Sequence, residues 1–157
     1  MHEFLPYAWF EGKCIPFKEA KISIATHALH YGTAAFGGMR AIPNPSNKEE
    51  FLLFRTDKHI KRLSQSAKLL LTEISEEYIF NALEEVIKRN KPQKPIYIRP
   101  FVYTSDLGIA PRLHNIETDF FIYCIELGDY LSPEGVSCRM SSWTRQEDRS
   151  LPLRGKI

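Results

Sequence analysis

The sequence predicts an α+β fold: a mainly antiparallel sheet with two helices, followed by the first strand of a second domain. Three observations carry this. Short apolar strand patterns flank a pair of helical patterns instead of alternating with them one by one, as a doubly wound sheet would require. The helical patterns repeat their apolar residues at a helical period. Residues 127–134 then read as a linker of Gly, Asp, Ser and Pro, after which 136–143 restart a strand pattern. The expected divisions are a first domain over 1–126, a linker over 127–135, and the opening of a second domain over 136–157.

Each element follows from local chemistry. Tyr7–Phe10 and residues 14–17 flank Glu11-Gly12-Lys13 and read as a hairpin. Ile22-Ser23-Ile24 alternates like another short strand. Residues 43–47 are rich in Pro and Asn and form a turn before the apolar strand Phe51-Leu52-Leu53-Phe54. The first helix starts at Thr56 or Asp57, either of which can cap it, and places Ile60, Leu63, Ala67 and Leu70 on one face. The second starts at Ser75, with Glu76 and Glu77 at the positive end of its dipole. Its buried stripe is Ile79, Leu83, Val86 and Ile87, and Lys88-Arg89-Asn90 closes it, with Asn90 the expected left-handed residue. Strands over 96–103 and 120–126 enclose a loop over 105–118, longer than ordinary connections and so a functional candidate.

The 157 residues carry 21 basic and 19 acidic side chains, and 43% of them are hydrophobic. That composition excludes disordered, collagen-like and coiled-coil chains, and no apolar run approaches the roughly 20 residues of a spanning helix. The net charge of +2 is uneven, because residues 139–157 hold five basic and only two acidic side chains. A basic tail on a nearly neutral body suits a small anionic ligand and not a nucleic-acid footprint, which needs a basic stripe over a whole face. Cys14, Cys124 and Cys138 are odd in number with no CxxC pair, so neither a zinc site nor a disulfide framework is expected. The first residues lack the basic and apolar regions of a signal peptide, so the expected compartment is the reducing cytoplasm, with no membrane partner.

Several residues stand out chemically. His27 and His30 could share one side of a helical turn, but Asp and Glu are absent from residues 23–39, so packed, hydrogen-bonded histidines are expected in place of a metal site. Tyr31-Gly32 and Phe36-Gly37-Gly38-Met39-Arg40 combine aromatics, glycines and a guanidinium. That block suits either the cradle of an amphipathic carboxylate or a bulge in a buried strand. Tyr97 and Arg99 project from one face of a strand, and an arginine there needs a partner. Either an internal carboxylate such as Glu126 supplies it, or Arg99 faces a cavity and an anionic ligand. Arg62, next to Leu63, lies at the edge of a buried helix face. Lys156 follows Arg154 and Gly155, and a cationic neighbour or desolvation would free its amine for covalent chemistry.

His27-Ala28-Leu29-His30-Tyr31-Gly32-Thr33 with Phe36, Gly38 and Arg40 resembles the signature of branched-chain amino-acid aminotransferases. The resemblance continues through Phe54-Arg55, His59-Ile60-Lys61-Arg62-Leu63, Ser66-Ala67-Lys68, Tyr97-Ile98-Arg99-Pro100 and Ser141-Ser142-Trp143-Thr144-Arg145, and ends at Pro152-Leu153-Arg154-Gly155-Lys156. It spans essentially the whole chain, in order. Such enzymes are pyridoxal 5′-phosphate aminotransferases of the class IV, or fold type IV, group. The resemblance implies transamination of Leu, Ile and Val with 2-oxoglutarate, giving branched 2-oxo acids and glutamate, in a homodimer or higher homo-oligomer.

By the same resemblance, Lys156 stands where the family has the lysine that holds the cofactor covalently. Once released, that amine moves a proton between the substrate α-carbon and the cofactor. Arg62 matches the arginine that binds the cofactor phosphate. Tyr31, Phe36, Arg40, Tyr97 and Arg99 match the amino-acid pocket, with Arg99 the expected partner of the second carboxylate of glutamate. Tyr130 and part of the 107–111 loop match elements delivered into the neighbouring subunit's site. Gly37 stands where many family members have Glu. The family also has a second domain that completes the cofactor cage, so the resemblance implies that the 157 residues alone are inactive. The alternatives are a catalytically silent folding and dimerisation module, and a D-amino-acid transaminase of the same fold group.

Overall fold

The computed structural model describes residues 3–126 and 134–157. The chain opens with β1 (Glu3–Phe4), β2 (Tyr7–Phe10), β3 (Lys13–Pro16), a 3-10 turn at Phe17–Glu19, α1 (His27–Tyr31), β4 (Ala34–Phe36), β5 (Met39–Asn44) and β6 (Asn47–Leu53). The longer helices α2 (Thr56–Lys68) and α3 (Glu76–Asn90) follow, then the long strands β7 (Ile96–Thr104) and β8 (Thr118–Glu126). All pairings are antiparallel, in one sheet ordered β3-β2-β8-β7-β5-β6, with β1 added beside β8 and β4 beside β7. The mainly antiparallel α+β architecture expected from the sequence is present.

Local chemistry explains the turns. Glu11 and Gly12 both take positive φ, 49° and 77°, which matches the twist that a two-residue hairpin between β2 and β3 requires. The Ser75 hydroxyl accepts from the Tyr78 N–H and starts α3 as expected.

Five local expectations are corrected. Ile22-Ser23-Ile24 lies in irregular chain and a turn, because no strand among the described residues lies beside it. A third, five-residue helix, α1, takes up His27–Tyr31 and ends on Gly32 at φ 65°. At α2 neither Thr56 nor Asp57 caps: Thr56 is already helical, and the preceding Arg55 sits in the left-handed region without a side-chain capping bond. At the end of α3 the left-handed residue is Lys91, while the Asn90 amide is spent on the Tyr7 backbone, to which it both donates and accepts. Residues 136–143 form no strand. Among the described residues no neighbouring strand offers them a ladder, and Met140 and Trp143 are almost fully exposed. Residues 127–133 of the expected linker lie outside the described residues.

The sheet has two chemically different faces. Ile98, Val102, Phe120, Ile122 and Cys124 point one way and pack with Leu63 of α2 and with Ile79, Leu83 and Val86 of α3. Both helical stripes read from the sequence are buried there, except that Leu70 is half-buried. The opposite face carries Tyr97, Arg99, Phe101, Phe121 and Tyr123 at the alternate positions. Its rings stack in a row, Phe36 to Phe101 at 6.2 Å, Phe101 to Phe121 at 4.7 Å and Phe121 to Tyr123 at 6.2 Å.

Beside β7 the ladder breaks in one place. β4 pairs with its C-terminal part and β5 with its N-terminal part, and Gly37-Gly38 lies between them, opposite Arg99-Pro100. The Pro100 carbonyl accepts from the Gly37 N–H at 2.9 Å. In an antiparallel strand the N–H and C=O of one residue face the same neighbour, so the donor that Pro100 lacks falls at this break. Side chains also argue for glycine. A Cβ at position 37 would stand 2.9 Å from Pro100 Cγ, and one at position 38 would collide with the Tyr97 hydroxyl. Of the two readings left open for this block, strand irregularity is therefore present, and it lies opposite Arg99.

Candidate active site

The C-terminal segment returns to the break and places Lys156 there through its backbone. Its N–H donates to Ser66 Oγ of α2 at 3.0 Å, and its carbonyl accepts from the Phe36 N–H of β4 at 3.0 Å. Gly155 lets the chain lie on α2, since a Cβ there would run into Leu69. Held at both backbone groups, Lys156 lays its Nζ 4.7 Å over the Phe36 ring. Arg99 reaches the same ring from β7, with its guanidinium carbon 4.7 Å from the Phe36 centroid and 5.2 Å from that of Tyr97. One aromatic ring thus carries an amine and a guanidinium within the span of a single small ligand.

The charged groups that act on Lys156 are both cationic. Burial pushes the Lys156 amine below its ordinary value, and the Arg62 and Arg99 guanidinium groups push it further the same way. His59, one turn before Arg62 on α2, is likewise held down by burial and by Arg62 and Lys156. Its Nδ1 lies 3.5 Å from Arg62 Nη2. The acid that works against this on His59 is Asp57, which already lies against Arg55 and Lys58. Glu126, the candidate internal partner of Arg99, pairs with Lys94 at 2.8 Å instead. Arg99 Nε is buried without a hydrogen-bond partner among the described residues. A convergence of cations with an orphaned donor fits an anionic guest carrying phosphate or carboxylate groups.

A depressed amine pKa means more free amine at a given pH, so Lys156 is expected to react ahead of solvated lysines with an acylating reagent under mildly alkaline conditions. Arg62→Gln removes one of the cations that depress it. The Lys156 pKa then rises and its acylation slows, read by mass spectrometry of the peptide that contains Lys156. An unchanged rate refutes the influence of Arg62.

The sequence-derived candidates divide into three sets. Phe36, Arg62, Arg99 and Lys156 converge, and Tyr97 joins them through Arg99. Arg40, Tyr97 and Arg99 also line a cavity of about 710 Å³, together with Gly38, Phe54 and His59. Tyr31 makes its contacts elsewhere: its hydroxyl donates to the Ile109 carbonyl, and its ring lies 4.6 Å from His27. Tyr130 lies outside the described residues. His27 is buried, and both of its ring nitrogens are engaged by Thr33, Thr104 and Ala110. His30 is exposed and bonds the Ile24 carbonyl. Two residues stood in the segments that carry the resemblance but were given no role: His59, signalled by its three-residue spacing from Arg62 on one helix, and Ser66, which no local pattern marks.

A lysine amine gathered with guanidinium groups beside a break in an antiparallel sheet is the geometry to set against known proteins. Residues 35–157 match the amino-transferase class IV family, and the chain belongs to it. It is 63% identical over 157 residues to a Synechocystis protein named "Probable branched-chain-amino-acid aminotransferase", covering all of this chain and 52% of that protein. Among solved structures, the branched-chain aminotransferase of Thermoproteus uzoniensis with norvaline is 29% identical, with a TM-score of 0.87 over 99% of this chain and 51% of that one. A T.th. branched-chain amino acid aminotransferase complexed with N-(5′-phosphopyridoxyl)-L-glutamate is 34% identical, with a TM-score of 0.82 over 98% of this chain and 50% of that one. The chain therefore spans about half the length of the relatives it matches.

Proposed function

We propose that this chain contributes the lysine and the substrate-facing arginines to a pyridoxal 5′-phosphate-dependent transaminase. Its substrates would be leucine, isoleucine and valine, with 2-oxoglutarate as acceptor. The observation that carries the reading is the shared Phe36 ring, over which Lys156 Nζ and Arg99 both lie at 4.7 Å. The relatives' names and the norvaline and phosphopyridoxyl-glutamate bound to two of them support it.

The cofactor, when bound, supplies the electron sink that makes the α-carbon proton labile. Arg62 would hold its phosphate, a task suited to a guanidinium fork, and Lys156 would hold its reactive end. The depressed amine of Lys156 is suited to accept the α-proton and return it, since it can be neutral when a proton must be taken. Phe36 and Tyr97 would offer aromatic walls to an aliphatic side chain. Arg99 would meet the second carboxylate of glutamate without filling that apolar space, and Arg40 lines the same cavity. Tyr31 and Tyr130 are proposed to complete the substrate wall, with Tyr130 and the 107–111 loop serving a second copy of the chain.

The division at residues 126 and 136, with the last segment opening a second domain, belongs to the same proposal. So does a cytoplasmic homo-oligomer acting on amino acids and 2-oxo acids. No helix among the described residues is long and apolar enough to cross a membrane.

The test supplies pyridoxal 5′-phosphate, 2-oxoglutarate and L-leucine to the whole protein and measures glutamate. Leucine-dependent glutamate is expected, with none from D-leucine. Activity confined to D-amino acids, or to none, overturns the reading. The same assay on the 157 residues alone is expected to show no turnover, and substantial turnover would contradict that expectation.

A further inference from the structure

The loop between β7 and β8 is tied to the body of the domain by His27, Tyr31 and Thr26, and His27 makes two of the bonds. The His27 N–H donates to the Asp106 carbonyl at 2.9 Å, and its Nε2 lies 2.9 Å from the Ala110 carbonyl. A carbonyl only accepts, so Nε2 carries a proton and donates. Nδ1 lies 3.0 Å from the hydroxyls of both Thr33 and Thr104, which also bond each other and join the start of β4 to the end of β7. The Tyr31 hydroxyl takes the Ile109 carbonyl, and Thr26 forms a bridge with Leu107. One foot of the arch 107–109 is thereby held by the His27 main chain, at Asp106, and the other by its ring, at Ala110. Between them Leu107 and Ile109 stand 62% and 87% exposed. Two apolar side chains held out on a pinned arch are costly to expose to water.

We infer that His27 is a positioning residue. By holding the arch at Ala110 through its ring, beside the main-chain bond at Asp106, it fixes where Leu107 and Ile109 stand. This rests on the transaminase reading, in which the loop borders a substrate site. The histidine adds no chemistry of its own: it touches neither the Lys156 group nor the cavity beside it, and both of its ring nitrogens are spent on the fold.

The test separates the two bonds of the ring. His27→Asn can still accept from the threonine hydroxyls but is too short to reach Ala110. His27→Gln carries an N–H at about the depth of Nε2 and can restore the tether. In the whole protein, the Asn variant is expected to speed amide hydrogen exchange over residues 105–112 by roughly threefold to tenfold, the loss of one net hydrogen bond. Exchange in the β7–β8 ladder should stay at the parent rate. The KM for leucine should rise with kcat nearly unchanged, the mark of lost binding without lost chemistry, and the Gln variant should return both readouts toward the parent.

Unchanged exchange at 105–112 overturns the inference. So does a rise shared equally by the β7–β8 ladder, which is general loosening, and so does local loosening with an unchanged KM. The exchange readout needs no turnover. A protein that loosens locally but never transaminates leucine upholds the clamp and overturns the transaminase reading.

Discussion

Lys156→Ala is expected to lower leucine-dependent glutamate formation by roughly 10²–10⁴-fold or more, the range that a positioned acid–base group supplies. The fold should barely respond. Lys156 is tied to the domain through its N–H on Ser66 and its carbonyl under the Phe36 N–H, and alanine keeps both. The lost side chain contributes one cation–π contact, worth about 0.5–1 kcal/mol. Removing it also relieves the crowding of an amine with Arg62 and Arg99. Thermal unfolding and far-ultraviolet circular dichroism near the parent, together with collapsed turnover, separate chemistry from folding. Lys156→Arg sharpens the point. A guanidinium keeps the charge and can keep the ring contact but does not give up its proton, so it should not restore activity. Turnover near the parent level in either variant removes Lys156 from the centre of the mechanism.

How much of this was legible beforehand depends on distance along the chain. α2 and α3 showed themselves because several apolar residues repeat within one helix, a signal that tertiary context reinforces. α1 did not, because five residues are too few for a period. Ile22-Ser23-Ile24 and residues 136–143 show that alternation is not sufficient for a strand: a ladder needs a neighbour, and none lies beside either segment among the described residues. The Gly37-Gly38 break could be narrowed locally to two readings. The structure resolves them through Pro100 and Tyr97, which no local window includes.

The candidate site follows the same rule. Tyr97 and Arg99 were readable as a pair because they lie two apart on one strand. Lys156 had no local distinction, and its meeting with Phe36 and Arg99 depends on the C-terminal segment returning to β4 and α2. Only the likeness to a family pointed to it. His59 was missed because a histidine on the polar edge of a helix looks solvated until the burial around Arg62 and Lys156 is seen. His27 was expected to be packed and bonded, and it is, but the three segments it joins could not be read from its neighbours.

Arg99→Met is expected to divide function from stability. The orphaned Nε is a buried donor, which costs about 1–3 kcal/mol. The guanidinium contacts with Phe36 and Tyr97 return about 0.5–1 kcal/mol each. These terms nearly cancel, and methionine fills much of the same space, so the melting temperature should stay within a few degrees of the parent or rise. A buried aliphatic residue of the helix-facing core would behave otherwise, since truncating one costs about 2–5 kcal/mol. Activity should move in a substrate-dependent way. Loss of a charge-assisted hydrogen bond to a carboxylate, about 1.5–3 kcal/mol, lowers kcat/KM for glutamate and 2-oxoglutarate by roughly tenfold to 150-fold. Leucine, with no second carboxylate, should change only a few-fold. Single-turnover half-reactions with each amino acid read the two effects separately. Equal losses for leucine and glutamate would place Arg99 on the carboxylate that all amino acids share. A large drop in melting temperature would make it structural, and its unpartnered Nε would then need another explanation.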